Sequence, residues 1–332
     1  MVLNNEDLTV KIEGDFLAML DEWHSLPETW DNVLDSQLHA WYVDPPNVFP
    51  KRPYFSPSSL GSCPRELYVK AKGAKRDNTR RQPHQARWAN TGTAVGDMIQ
   101  RDLLLIEKHF KSKTGNEPRF RFLRDPQGRP RFEEFAKANV RVRHNGEEFY
   151  LYGAPDGIMT YTTDDGEEVR VGLEIKTKST TPARTSLYTM REPDSNHAMQ
   201  AKAYSVMYGC DYYIVLYVNV AKKSWVMSDE DYRKTPDIRA FCLDTRNIDK
   251  AELFDKPAMI TKSVREGTPP KLDLEEWTFN NYKTACIESL TDVEVQELKE
   301  ISHKAQHSSI PEWKKKGYLE AVEYITSTKE SM

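Results

Sequence analysis

The sequence predicts an α/β fold of the α+β kind, in which a central mixed β-sheet is flanked by helices. Three observations predict it. Apolar residues recur with a helical period in residues 1–43 and again at 95–106. They alternate with polar residues between 140 and 175, as in strands that have one buried face. A helical segment at 198–207 then leads into the apolar run 212–218, the strongest strand candidate in the chain. Helices and strands that follow one another in this way favour a sheet covered by helices.

The size and charge of the chain limit the classes of protein that it can be. Its 332 residues suffice for one large α/β domain or two small ones. Lys and Arg number 47 against 51 Asp and Glu, a net charge of −4 that argues against binding nucleic acid by bulk charge. No apolar run approaches the roughly 18 residues of a membrane span, and the first residues lack a signal peptide. We therefore expect a cytoplasmic protein with no membrane partner.

The N-terminal part predicts helices and then a break. Residues 1–43 predict two or three short helices, and the proline-rich stretch 44–53 can continue neither a helix nor a central strand. The segment 56–68 predicts a capped helix start, because its serine oxygens can satisfy the first free backbone N–H groups. We place a boundary at the prolines and predict a helical extension over 1–54, a main domain over 55–290 and a helical C-terminal tail over 291–332 that packs on the core.

Basic residues concentrate between positions 65 and 87, where eight Lys or Arg stand against two acidic residues. A solvated loop and a surface that contacts phosphate both fit this pattern. The aromatic residues Tyr68 and Trp88 are candidates for stacking on bases. With one lysine from a later strand, the candidate nucleic-acid contacts are Arg65, Lys75, Arg76, Arg80, Arg81, Arg87 and Lys178.

Three charged side chains stand out in the strands of the middle segment. The dipeptide Asn145-Gly146 predicts a hairpin, after which strands follow on both sides of a turn at 164–166. Residues i and i+2 of a strand point to the same face, so Glu174 and Lys176 project together, and a hairpin brings Asp156 beside them. Two hard oxygen ligands and an ammonium group suit Mg²⁺ or Mn²⁺ with a phosphodiester bound.

Each of these groups fits a role in phosphodiester hydrolysis. Asp156 and Glu174, with the backbone carbonyl of Ile175, would hold the divalent ion. Lys176 would orient a water or stabilise charge in the transition state. The same spacing also occurs by chance, and Glu174 and Lys176 would then be an exposed cross-strand pair.

The order of the surrounding motifs resembles the PD-(D/E)XK nuclease superfamily, in the branch of the RecB nuclease domain, lambda-exonuclease-like phage enzymes and CRISPR-adaptation nucleases. The resemblance covers about residues 55–290. The matching segments are Cys63-Pro64-Arg65-Glu66-Leu67-Tyr68, Gly92-Thr93-Ala94-Val95, Gly153-Ala154-Pro155-Asp156 with Glu174-Ile175-Lys176, and Gln200 with Tyr204. It implies a restriction-endonuclease-like core, and a helix face with Gln200 and Tyr204 that borders the active site and the DNA.

The chain departs from this family at two places. The family usually has a metal-binding histidine after Gly-Thr-Ala-Val, where this chain has Gly96. Asp97 is the nearest substitute as third metal ligand, although one residue turns a helix by about 100°. Asp102, Glu133 and Glu134 are weaker candidates, and water would otherwise complete the coordination shell.

The second departure concerns the cysteines. Many relatives hold an iron–sulfur cluster with four of them, whereas here only Cys63 and Cys286 remain in the matching segments. We expect no iron–sulfur cluster, because two thiolates cannot fill a four-cysteine site. Side-chain packing or hydrogen bonding would then join these two segments.

The resemblance implies a divalent-metal-dependent DNA nuclease, with exonuclease activity favoured over endonuclease activity. A role in DNA recombination, repair or phage replication follows, in a bacterial cell or a phage-infected host. DNA is the expected substrate, and a recombinase, a single-strand-binding protein or a helicase are candidate partners. The alternative is a catalytically weak DNA- or protein-binding member of the same fold, acting as an inhibitor or assembly factor.

Overall fold

Helices and strands alternate along the chain. The structure is a computed structural model that describes residues 5–78 and 80–332. The helices are α1 (Asn5–Ser25), α2 (Asn32–Val43), α3 (Pro64–Ala71), α4 (Pro83–Thr114), α5 (Glu133–Ala136), α6 (Ser195–Tyr208), α7 (Asp229–Lys234), α8 (Lys250–Glu266), α9 (Lys283–Glu288), α10 (Asp292–Gln306) and α11 (Glu312–Ser331), with short 3₁₀ helices at Pro57–Ser59 and Pro182–Thr185. The strands are β1 (Tyr54–Phe55), β2 (Phe120–Phe122), β3 (Ala138–His144), β4 (Glu147–Gly153), β5 (Gly157–Thr162), β6 (Glu168–Lys178), β7 (Tyr212–Asn219) and β8 (Ile238–Asp244).

The chain forms two compact units, each assembled from separate segments. The first unit comprises 1–49, 81–140 and 152–249, and the second comprises 50–80, 141–151 and 250–332. The predicted division at residues 54 and 290 stays a prediction.

The first unit is built on a mixed sheet with the strand order β2–β5–β6–β7–β8. Strand β6 pairs antiparallel with β5 and parallel with β7, so it lies in the middle of the sheet. Helices α1 and α4 pack on strands of this sheet, as does α6. The predicted fold class, a mixed sheet flanked by helices with a helical N-terminal region, is confirmed.

Alternate residues of β7 enter two separate cores. Tyr212, Ile214 and Leu216 pack with apolar side chains of α1 and α4. Tyr213 and Val215 pack with side chains of α6. Because both faces of β7 are covered, every one of its residues is buried, which explains a continuous apolar run in place of alternation.

The second unit contains the turn of the predicted hairpin. Asn145 and Gly146 have φ angles of +49° and +77°, the left-handed conformation that a tight two-residue turn between strands requires. They join β3 to β4, so this hairpin prediction is confirmed. On the other edge of β4, β1 pairs in parallel, with Tyr54 opposite Tyr150.

Arg65 lies in the interior of the second unit and is fully buried. Its guanidinium forms an ion pair with Glu294 and donates to the carbonyl oxygens of Pro270 and Ser289 over 2.6 and 2.9 Å. The prediction that Arg65 contacts DNA is therefore not supported by its position, because its donors are already used by protein acceptors. Tyr68, a predicted stacking residue, is also buried, with 3% of its surface exposed.

Within residues 5–78 and 80–332, no helix combines the length and the apolar character that crossing a bilayer requires.

Candidate active site

The antiparallel pairing of β5 and β6 sets the position of Asp156. Gly157 lies opposite Leu173, so the preceding Asp156 comes beside Glu174 and Ile175. One carboxylate oxygen of Asp156, Oδ2, accepts a hydrogen bond from the backbone N–H of Ile175 over 2.6 Å. This bond fixes the Asp156 carboxylate against the strand that carries Glu174 and Lys176.

Two glycines allow the strands to approach this closely. A Cβ atom on Gly172 would lie 2.1 Å from the ring of Tyr213, which is fully buried on β7. A Cβ atom on Gly157 would lie 2.8 Å from the ring of Phe122 on β2. The aromatic rings therefore occupy the space that side chains at these two positions would need, so only glycine fits there.

Glu174, Lys176 and Gln200 form a hydrogen-bonded triangle. Lys176 Nζ and Gln200 Nε2 both approach Oε1 of Glu174, each over 2.7 Å. Lys176 Nζ also donates to Oε1 of Gln200 over 3.1 Å. The residues that the sequence predicted to face one another on β6 do so, and α6 contributes the glutamine.

The other oxygen of Glu174, Oε2, is buried and has no hydrogen-bond partner among the residues that the structure describes. Glu174 as a whole is only 3% exposed. A buried carboxylate oxygen without a donor is costly, so an orphan of this kind calls for a ligand or an ion. Its location beside Asp156 makes it the strongest sign of a binding site in this part of the molecule.

Burial acts on both carboxyl groups, and the charge of Glu174 acts in addition on Asp156. Burial, followed by the charge of Glu174, raises the pKa of Asp156 to about 8. Burial also raises the pKa of Glu174, although Lys176 and Gln200 oppose that shift. The ammonium group of Lys176 thus compensates the two carboxylates only in part, and a further positive charge would stabilise their ionised forms.

These observations fit a divalent cation. Asp156 and Glu174 offer hard oxygen atoms of the type that Mg²⁺ and Mn²⁺ prefer, and Oε2 of Glu174 lacks a donor. Mg²⁺ is commonly bound through one or two carboxylates with waters in its other positions. Within the described ranges, no group of three or more His, Cys, Asp or Glu side chains is arranged as a metal centre.

Helix α4 passes along the site. Its buried Gln100 donates from Nε2 to the backbone carbonyl of Asp156 over 2.9 Å. A Cβ atom on Gly92 would lie 3.7 Å from Oγ1 of Thr177, whereas a Cβ atom on Gly96 would have no atom within 4 Å. Gly96, where the resembled nucleases have a histidine, therefore faces open space, and the next residue, Asp97, is exposed to solvent.

Glu133 lies on the other side of the loop that carries Asp156. Its backbone N–H donates to the carbonyl of Pro155 over 2.8 Å, and Oε2 accepts from the hydroxyl of Tyr42 over 2.9 Å. Its φ angle of +45° is strained for a residue with a side chain. Burial raises the pKa of Glu133, and the charge of Asp97 raises it further.

Two further side chains of α6, Tyr204 and His197, form hydrogen bonds within the protein. Tyr204 is 5% exposed, and its hydroxyl donates to the carbonyl of Ala154 over 2.7 Å. His197 lies 2.8 Å from the hydroxyl of Tyr217 through Nδ1. Burial and the charges of Lys176 and Lys178 lower the pKa of His197 to about 4, so its ring is neutral at pH 7.

Sequence reasoning did not name Gln100, Tyr42 or His197 as site residues. Gln100 is four residues after Gly96 and so lies on the same face of α4, a spacing that could have found it. Tyr42 is 91 residues away from Glu133, and no local pattern links them.

The predicted basic contacts other than Arg65 lie nearer to solvent. Lys178, at the end of β6, is half-buried, with its Nζ 5.0 Å from the ring centre of Tyr217. Trp88, the second predicted stacking residue, is 55% exposed. The exposed members of the set are Lys75, Arg76, Arg80, Arg81 and Arg87.

The two cysteines of the matching segments lie buried in the second unit. Sγ of Cys63 accepts the backbone N–H of Asp273 over 3.2 Å, and Sγ of Cys286 accepts from Nδ2 of Asn280 over 3.5 Å. Burial raises the pKa of Cys286 to about 12, so it is a neutral thiol at pH 7. Hydrogen bonds thus join the segments as expected, and the absence of a cluster stays a prediction.

Comparisons with known proteins give limited matches. No family model and no curated protein matches the chain. Among solved structures, it is similar to one described as SSO0001, with 14% identity over 78% of this chain and 95% of that chain, at a TM-score of 0.39. It is also similar to the alkaline exonuclease LHK-Exo from Laribacter hongkongensis, with 12% identity over 65% of this chain and 89% of that chain, at a TM-score of 0.35. At these scores the likeness carries no argument about activity.

Proposed function

We propose that this protein is a divalent-metal-dependent nuclease that hydrolyses phosphodiester bonds in DNA. The observation that carries the proposal is the buried, unpartnered Oε2 of Glu174. It lies in a group whose members, Asp156 and Lys176, suit a cation and a phosphate at one position. An unpartnered carboxylate oxygen next to a second buried carboxylate is available to a cation, which supports a metal site.

The finer parts of the proposal come from the resemblance of the motifs. They are the choice of DNA, the preference for exonuclease over endonuclease activity, and a role in recombination, repair or phage replication. A recombinase, a single-strand-binding protein or a helicase would be partners in such a role. Gln200 and Tyr204 are proposed as catalytic residues on the same basis.

In this proposal the residues have distinct tasks. Asp156 and Glu174 hold Mg²⁺ or Mn²⁺, with the carbonyl of Ile175 and with Asp97 as the further ligands that we propose. When bound, the cation supplies charge that polarises the phosphoryl oxygen and favours an attacking hydroxide. Lys176 donates to the non-bridging phosphate oxygens, where negative charge grows in the transition state. Gln200 fixes the orientation of Glu174 and Lys176 through its two hydrogen bonds.

The proposal can be tested with purified protein and defined DNA. Linear, nicked and circular DNA, single- and double-stranded, are incubated with Mg²⁺ or Mn²⁺ or with chelator. The wild type is compared with Asp156→Asn and Lys176→Gln. Matched controls change the same kind of residue away from the site, with Asp229→Asn in α7 and Lys111→Gln in the last turn of α4.

We expect the wild type and both controls to degrade DNA only with a divalent cation. The two site variants should lose about 10²-fold or more of the rate. Degradation of linear but not circular DNA would identify an exonuclease. Equal rates in site variants and controls would overturn the proposed site. Binding of DNA with no degradation under any condition would overturn the catalytic proposal in favour of a DNA-binding member of the fold.

A further inference from the structure

Asn219, at the end of β7, forms hydrogen bonds to the loop between β6 and α6. Asn219 is fully buried, and its Nδ2 donates to the carbonyls of Thr181 and Pro182 over 3.0 and 3.1 Å. Nδ2 also lies 3.0 Å from Oγ1 of Thr185. In the sheet, Asn219 is the register partner of Lys178. The 3₁₀ helix at 182–185 is therefore held in place beside the end of the strand that carries the candidate site.

Two basic residues, Lys178 and Arg184, lie in this region, at the C-terminal end of β6 and in the loop that follows it. Lys178 is two residues after Lys176 on β6 and so projects from the same face, about 6.6 Å further along the strand. Arg184 is in the fastened 3₁₀ helix, is exposed, and donates from Nε to Oγ1 of Thr180 over 3.1 Å. Neither side chain has an ion-pair partner among the residues that the structure describes. This arrangement leaves the terminal nitrogens of Arg184 for a ligand.

The electrostatics of the edge favour an anion. Burial lowers the pKa of Lys178, the carboxylate of Asp194 opposes that shift, and the charges of Arg184 and Lys176 add to it. Like charges held this close repel one another, and that repulsion is relieved when an anion binds between them. Charge-assisted hydrogen bonds from Arg and Lys to phosphate are among the strong ones, and Arg can bind phosphate with two parallel bonds.

We propose that Lys178 and Arg184 form a subsite for a backbone phosphate of the substrate strand, next to the phosphate that is cleaved. The inference rests on the proposed function, which places the cleaved phosphate at Lys176. Lys178 lies two residues beyond Lys176 on the same face of β6, so in this proposal Lys178 and Arg184 serve a neighbouring phosphate. Asn219 is a positioning residue, because it holds Arg184 through the loop and does not touch the DNA itself.

Binding of labelled oligonucleotides in chelator, followed by fluorescence anisotropy, tests this subsite without cleavage. Arg184→Gln and Lys178→Gln are compared with Lys111→Gln, which removes the same charge from an exposed position in α4. We expect each subsite variant to bind about 5- to 10-fold more weakly and to reduce the salt dependence by about one phosphate contact. Arg184→Lys should restore part of the binding, and Lys111→Gln should behave as the wild type.

Neutral methylphosphonate groups, placed one at a time along the oligonucleotide, then locate the contact. One position should weaken binding to the wild type but not to Arg184→Gln. Asn219→Asp should weaken the contact with the phosphate at that same position. Its folding is checked by thermal melting. The half-saturating DNA concentration for cleavage should rise in Arg184→Gln and stay at the wild-type value in Lys111→Gln.

The outcomes separate this inference from the proposed function. If the wild type binds and cleaves DNA while Arg184→Gln and Lys178→Gln match Lys111→Gln, the subsite is overturned and the nuclease proposal stands. If no methylphosphonate position is sensitive to Arg184, the subsite is likewise overturned. If the wild type neither binds nor cleaves any DNA, both proposals fail.

Discussion

The side-chain amide of Gln200 donates a hydrogen bond to Oε1 of Glu174 over 2.7 Å, in the buried part of the candidate site. The same glutamine accepts a hydrogen bond from Lys176 over 3.1 Å. A neutral side chain thus orients a carboxylate and an ammonium at once, without changing the charge of the site. Aspartate or glutamate at this position would add a third negative charge beside Asp156 and Glu174.

Replacement of Gln200 tests this arrangement. Gln200→Ala removes one of the two donors to Oε1 of Glu174, and we expect the rate of DNA degradation to fall by about 10- to 100-fold. Gln200→Glu should be at least as damaging, because the added carboxylate repels Glu174. Binding of Mn²⁺, followed by electron paramagnetic resonance, should weaken in both. Gln37→Ala, at an exposed position of α2, is the control, and a Gln200→Ala protein with the rate of that control would contradict the prediction.

The stability of the metal-free protein should depend on the ionisation of Asp156. Its pKa is raised to about 8 in the folded protein, whereas an unfolded Asp titrates near 3.9. A carboxyl group with a raised folded pKa stabilises the folded state below the unfolded pKa, and this contribution is lost as the pH rises from about 4 to about 8. Asp156→Asn cannot ionise and should escape the loss.

Urea unfolding in chelator between pH 5 and pH 9 measures this effect. We expect the wild type to lose on the order of 2–4 kcal/mol of unfolding free energy relative to Asp156→Asn over that range. Addition of Mg²⁺ at pH 8 should return stability to the wild type and not to the variant. If the unfolding free energies of the two proteins change with pH in parallel, Asp156 does not titrate in this range.

A single methyl group at Gly172 should disrupt the sheet at the site. Its Cβ would lie 2.1 Å from the Tyr213 ring, which is fully buried and has no room to move. We expect Gly172→Ala to lose about 3 kcal/mol or to misfold, and the additional change Tyr213→Leu to recover part of the loss. Gly96→Ala in the middle of α4 meets no atom within 4 Å and should instead gain about 0.5–1 kcal/mol. Thermal melting of the three variants decides, and equal melting temperatures would contradict the prediction.

Arg65 should matter for stability in the second unit. Its buried guanidinium is paired with Glu294 and bonded to Pro270 and Ser289. Arg65→Met leaves those acceptors without a donor, and we expect a loss of about 3 kcal/mol. The control is Lys271→Met, whose exposed pair with Glu297 contributes within about 0.5 kcal/mol. A DNA affinity that falls while stability is unchanged would restore Arg65 as a DNA contact.

The sequence predicted those features of the site that depend on local periodicity. Glu174 and Lys176 are two residues apart on a strand, so their common direction follows from the pleat. The resemblance of the motifs implied only that Gln200 borders the site, and its hydrogen bonds with both side chains were not predicted. Glu133 was predicted only as a weaker candidate ligand, and its contact with Tyr42 escaped prediction because the two residues are 91 positions apart in the chain. The burial of Arg65 was not predicted either. The sequence of a basic segment does not show which of its side chains face water and which face the interior.

The central position of β6 has a consequence for how the proposed activity would be lost on heating. Amide protons of a strand that is paired on both sides exchange with solvent only when the sheet opens, so β6 and β7 should hold the slowest-exchanging amides of the first unit. Heat should then abolish activity together with the near-ultraviolet signal of the tyrosines of β7, with no inactive folded intermediate. Many enzymes with sites on mobile loops inactivate before they melt, whereas here Glu174 and Lys176 lie on a strand that should be among the last to open.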